Sequence, residues 1–60
     1  MYRFTDWNNE LNDVYGTYKQ CLKLFNEAVR KDPEGRYSIY DTRTDEGILF
    51  NKNCPEYNTN

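Results

Sequence analysis

The sequence predicts a small α+β domain of ββαββ order, an antiparallel sheet with one helix packed on one face. Three observations carry this. Apolar residues over 18–31 recur at helical spacing. The stretches on either side alternate along a strand and are broken by turn residues. Those two stretches also resemble each other. Tyr2-Arg3-Phe4-Thr5-Asp6, followed by Glu10-Leu11, parallels Tyr37-Ser38-Ile39-Tyr40-Asp41, followed by Glu46 and Ile48-Leu49. The shared outline is Tyr, any residue, apolar, hydroxyl, Asp, then a polar turn, Glu and a short apolar return.

The first hairpin pairs residues 2–7 with 11–15 around Asn8-Asn9-Glu10, where Asn tolerates positive φ. An alternative extends the helix backwards through Trp7, Leu11, Val14, Tyr15 and Tyr18, giving a long N-terminal helix plus a C-terminal β-hairpin. That would place Gly16 inside the helix, at about 1 kcal/mol relative to Ala, together with Asn8, Asn9, Asn12 and Asp13. The internal similarity favours the hairpin.

The helix follows. Thr17 and Gln20 fit a capping box, with Gly16 as the breaker before it. Tyr18, Cys21, Leu22, Phe25, Ala28 and Val29 form the apolar stripe, and Leu24 widens one flank. Lys19, Lys23, Asn26, Glu27 and Arg30 fall on the other face. Arg30 and Lys31 suit the negative end of the helix dipole, and Asp32-Pro33-Glu34-Gly35 ends the helix with turn chemistry.

In the second hairpin, Arg36–Thr42 alternates and Arg43-Thr44-Asp45-Glu46-Gly47 turns. Gly47 is expected at a left-handed or bulge position, before Ile48-Leu49-Phe50 returns. Residues 1–50 thus read as the domain. Residues 51–60, with four Asn and one Pro, read as a polar C-terminal tail.

A lone helix covers one face of a sheet. Strand alternation aims Tyr2, Phe4, Leu11, Tyr15, Tyr37, Ile39, Ile48 and Phe50 at the helix. It leaves Arg3, Thr5, Trp7, Val14, Ser38, Tyr40, Thr42 and Leu49 on the opposite face.

Composition narrows the function. Sixty residues allow one domain, which buries only about 60% of the surface its unfolded chain exposes. No apolar run approaches the roughly 18 residues of a membrane span. The net charge is −2 and the eight cations are scattered, which does not favour polyphosphate. Met-Tyr-Arg-Phe-Thr-Asp offers no apolar signal segment. Two cysteines, Cys21 and Cys54, are too few for a secreted disulfide framework, although a bridge between them stays open. A reducing cytoplasm is the expected setting.

Catalytic chemistry finds little support. Histidine is absent, removing the commonest base and metal ligand. Cys21 sits on the apolar stripe, and Cys54 has no cationic cluster beside it in sequence. Asp41, Asp45 and Glu46 surround one turn without the spacing of an EF-hand loop. Asp6 and Asp41 read as edge charges that discourage aggregation. No enzymatic activity, cofactor or metal is expected.

Binding remains. An exposed aromatic patch marks an interaction surface, and Trp, Tyr and Arg dominate interface energetics. The expected anchors are Trp7, Tyr40, Arg3 and Leu49, with Asp41, Asp45 and Glu46 as rim charge against a basic partner. The alternatives are a single-stranded nucleic-acid module stacking bases on Trp7 and Tyr40, and a homodimeric structural subunit pairing these sheet faces.

The run Gly16-Thr17-Tyr18-Lys19-Gln20-Cys21-Leu22-Lys23, then Asn26-Glu27-Ala28-Val29 and Tyr37-Ser38-Ile39-Tyr40-Asp41, resembles the layout of many small orphan bacteriophage proteins. The resemblance is one of fold pattern, spans most of residues 16–50, and assigns no functional residue. It implies a host-directed inhibitor or anti-defence factor that acts by binding, with a host or defence protein as partner.

Overall fold

Thr17 starts the helix as its spacing from Gln20 predicts. In a computed structural model of the protein, which describes residues 1–9 and 12–54, the Gln20 backbone N–H donates to Thr17 Oγ1 at 3.1 Å. The Thr17 N–H donates in return to Gln20 Oε1 at 2.9 Å. Helix α1 spans Tyr18–Lys31. It ends where the Asp32 N–H donates to the Ala28 carbonyl at 2.9 Å and the Asp32 carboxylate accepts from the Glu34 N–H at 3.2 Å.

Four antiparallel strands form one sheet. They are β1 (Tyr2–Asp6), β2 (Val14–Gly16), β3 (Tyr37–Asp41) and β4 (Glu46–Phe50), in spatial order β2-β1-β3-β4. The ββαββ order is therefore the one the sequence predicts, and the long-helix alternative is excluded. Glu10 of the first turn, Leu11 and residues 55–60 lie outside the described residues.

The internal similarity becomes a symmetry of register. β1 and β3 pair centrally with Phe4 opposite Ile39, Tyr2 opposite Asp41, and Asp6 opposite Tyr37. Each repeat's Tyr thus faces the other repeat's Asp.

The core lies between this central pair and α1. Phe4, Cys21, Phe25, Tyr37 and Ile39 are buried, with Tyr2, Leu22, Leu24, Ala28, Val29 and Leu49 packed around them. The Phe4 and Tyr37 rings stack at 6.2 Å, and the Tyr2 ring meets Tyr18 edge-on at 5.3 Å. Large rings supply what the few aliphatics cannot.

Two expectations about sheet faces are overturned. Val14 pairs with Phe4 and Tyr15 with Arg3, so Val14 is on the helix side and Tyr15 on the far side. The cause is Gly16. It sits beneath the capping side chain of Gln20, where a Cβ would collide with the amide. Gly16 must therefore face the helix, and Tyr15 is turned away.

Leu49 and Phe50 also exchange faces. The β3–β4 register shifts between Ile39 and Tyr40: Leu49 pairs with Ile39 while Gly47 pairs with Tyr40. Ile48 is the extra residue, and one extra residue inverts the side-chain alternation beyond it. Leu49 consequently packs on the core.

Gly47 takes the bulge position of the two expected for it, beside the extra residue Ile48, while the left-handed conformation falls to Asp45 with φ 58°. Gly47 is needed because the Phe50 ring lies where its Cβ would be.

Residues 51–54 remain attached to the domain. The Asn51 side chain accepts from the Tyr37 N–H at 2.8 Å and donates to the Gly35 carbonyl at 2.7 Å. Its backbone N–H reaches the Tyr37 carbonyl at 3.2 Å. Asn53 donates to the Pro33 carbonyl at 3.1 Å, and Cys54 is buried. Cys21 and Cys54 are both buried thiols, with no disulfide between them.

Candidate protein-binding face

Alternation along β1 sends Arg3, Thr5 and then Trp7 to the face away from α1, and β3 adds Ser38 and Tyr40. Tyr15 joins from β2 and, because of the bulge, Phe50 joins from β4. Trp7 extends the ladder by one step, its backbone N–H donating to the Arg36 carbonyl at 2.9 Å.

This face carries its own covering. Ser38 is fully buried although no helix lies over it, and the Trp7 indole N–H donates to its hydroxyl at 2.9 Å. Thr5 is buried beside it. Trp7 and Tyr40 are both half-buried, so each is part wall and part accessible surface.

Arg3 occupies the middle. Its Nε donates to Thr5 Oγ1 at 3.2 Å and lies 3.9 Å from Asp13 Oδ2. Its guanidinium stands 4.8 Å from the Tyr40 ring centre, in the range of a cation–π contact. Tyr40 meets Phe50 edge-on at 5.8 Å. A groove of about 250 Å³ runs along this face, lined by Arg3, Thr5, Trp7, Asp13 and Tyr40. Asp13 Oδ1 is buried with no hydrogen-bond partner among the described residues. Tyr15 is 56% exposed at the β2 side of the same face.

The predicted anchors thus divide. Arg3, Trp7 and Tyr40 come together, whereas Leu49 belongs to the opposite face. The predicted rim charges divide as well. Asp41 lies on the helix side opposite Tyr2, and little of it is exposed. Its Oδ1 accepts from the Arg43 backbone N–H at 2.9 Å, and the guanidinium approaches to 3.4 Å. The backbone bond first, and then the guanidinium, hold the Asp41 carboxyl below the usual carboxylate value. The same pairing raises Arg43 above its own. Asp41 is therefore committed within its turn. Asp45 and Glu46 are exposed.

The helix-side thiol is inert packing. Burial pushes Cys21 above the ordinary thiol value, partly offset by a backbone hydrogen bond at Phe4. Among the described residues, no cluster of His, Cys, Asp or Glu could hold a metal ion. No described helix is long and apolar enough to cross a membrane.

Tyr15 and Phe50 are the face residues that alternation alone misses. Each has a signal in a neighbouring glycine: Gly16 beneath Gln20, and Gly47 three positions before the ring that covers it. Comparison with protein-family models, curated proteins and solved structures found no match.

Proposed function

We propose that the chain is a non-enzymatic protein-binding module, which lays its helix-free face on a partner and occludes the surface beneath. One observation carries this reading: Arg3 is fixed at the centre of the face by Thr5, Asp13 and the Tyr40 ring, with Tyr15 in the neighbouring register position. Arg, Trp and Tyr are the side chains that anchor interfaces. Here they are already held in place, so binding loses little side-chain entropy.

Asp45 and Glu46, exposed on the β3–β4 turn, supply rim charge suited to a basic partner surface. The layout shared with small orphan bacteriophage proteins, often host-directed, supports a host or defence protein as the class of partner.

The test is capture of a partner from host lysate by the wild-type protein and by an Arg3→Ala, Tyr40→Ala variant. A loss of roughly tenfold or more is expected, with the helical circular dichroism retained. Undiminished capture by the variant would overturn the reading. A shift with single-stranded DNA that weakens steeply with salt would replace it with nucleic-acid binding.

A further inference from the structure

Two charged side chains on the helix-free face leave most of their hydrogen-bonding capacity unused. Asp13 stands immediately before β2 and faces Arg3, with 3.9 Å between its Oδ2 and the guanidinium Nε. That distance is an ion contact, too long for a hydrogen bond. Oδ1 is buried and has no hydrogen-bond partner. Among the described residues, the Asp13 carboxylate therefore accepts no hydrogen bond at either oxygen.

Arg3 is in the same position. Its hydrogen bond to Thr5 and its contact with Asp13 both run through Nε, and the Tyr40 ring lies 4.8 Å from the guanidinium carbon. The two terminal nitrogens have no hydrogen-bond partner among the described residues. An unpaired buried acceptor is costly, so a donor brought from outside gains more here than at a fully solvated carboxylate.

Both side chains line the groove of about 250 Å³, together with Thr5, Trp7 and Tyr40. That volume is below the ~300 Å³ at which pockets for small-molecule ligands begin, and suits a single side chain.

We propose that this groove takes the carboxamide of an asparagine or glutamine side chain of the partner. The choice follows from charge and from the pattern of donors and acceptors. Arg3 and Asp13 are opposite in sign, so the pair sums to zero. A cationic guest would gain Asp13 and be repelled by Arg3, and an anionic guest would meet the reverse. A neutral guest avoids both penalties, provided it offers a donor to the carboxylate and an acceptor to the guanidinium. A primary carboxamide carries both on one carbon. Its flat group also suits a groove lined by the Trp7 and Tyr40 rings, which shield such bonds from water. This inference rests on the helix-free face being the binding face, as proposed above, and names the chemistry at its centre.

Titration of the full chain with N-acetyl, N-methylamide derivatives of glutamine, glutamate and lysine tests it. The readout is the magnetic resonance of the Trp7 indole N–H, which borders the groove. The glutamine derivative should saturate with a Kd on the order of 10 mM, and the other two should bind at least about fivefold more weakly. Asp13→Ala leaves Arg3 uncompensated, so the preference should pass to glutamate. Arg3→Gln leaves Asp13 uncompensated, and the preference should pass to lysine. A change of preference requires a folded groove, so unfolding of a variant cannot imitate it. Three outcomes would overturn the proposal: no saturation by glutamine up to about 200 mM, equal binding of the three derivatives, or an Asp13→Ala variant that still prefers glutamine. Adenosine binding more tightly than the glutamine derivative would also overturn it, in favour of a base edge. The derivatives act without the partner, so the two readings fail separately. Glutamine selectivity with undiminished lysate capture by Arg3→Ala, Tyr40→Ala would overturn the binding face and leave the groove chemistry standing, and lost capture without glutamine selectivity would do the reverse.

Discussion

The β1–β2 and β3–β4 hairpins begin on the same pattern and finish differently. In both, the strand-ending aspartate folds back on its own turn: Asp6 Oδ1 accepts from the Asn8 N–H, and Asp41 Oδ1 from the Arg43 N–H, each at 2.9 Å. In both, the apolar third residue of the pattern, Phe4 or Ile39, lies in the core. They then diverge at their second strands. β2 has three regular residues with uncharged side chains, while β4 has five residues, opens on Glu46 and contains the bulge at Ile48. A bulge bends and twists an edge away from further pairing. The comparison shows that a repeated pattern fixes the centre of a sheet, whereas its edges depend on a single inserted residue.

The second hairpin also has a clamp, Asn51, that bonds both Gly35 and Tyr37. Asn51→Ala would leave a buried N–H and a buried carbonyl unpaired, and should cost about 3 kcal/mol in chemical unfolding. A loss below about 1 kcal/mol would show that the two hairpins are equally self-sufficient.

The two strand glycines sharpen the contrast at a smaller scale. Gly47→Ala drives a methyl into the Phe50 ring and should cost about 2 kcal/mol. Gly16→Ala displaces only the end of the Gln20 side chain, so its effect should approach the loss of a cap, about 1 kcal/mol. Thermal melts of the two variants would rank them, and the reverse order would break the assignment of ring against amide.

The smallest effect is a pH dependence. The Asp41 carboxyl is held low in the folded chain by Arg43, so its ionised form stabilises the fold above the ordinary carboxylate value. That stabilisation is lost as pH falls through the depressed folded value. Asp41→Asn should flatten the acid limb of a stability–pH curve, whereas an unchanged limb would show that Arg43 contributes nothing there.

Much of this architecture is legible in the sequence, for physical reasons. Thr17 and Gln20 announce the helix start because their side chains satisfy its open amides. The apolar stripe announces which face is buried. Arg3, Thr5, Trp7, Ser38 and Tyr40 reach the helix-free face because simple alternation holds in the central strands. Legibility fails at the edges. Period-two reasoning does not count an extra residue, so Leu49 and Phe50 exchange sides. Asn51 looks like one of several tail asparagines, and only the fold shows the two backbone groups it serves. Trp7 is expected as open surface, yet its indole serves as the lid over Ser38.

The Asn51 clamp also bears on how the chain matures. It ties the loop leaving the helix to the residue immediately after the last strand, so the helix exit stays loosely held until that strand has docked. Docking of the last strand and ordering of the helix exit are thus joined through one side-chain amide.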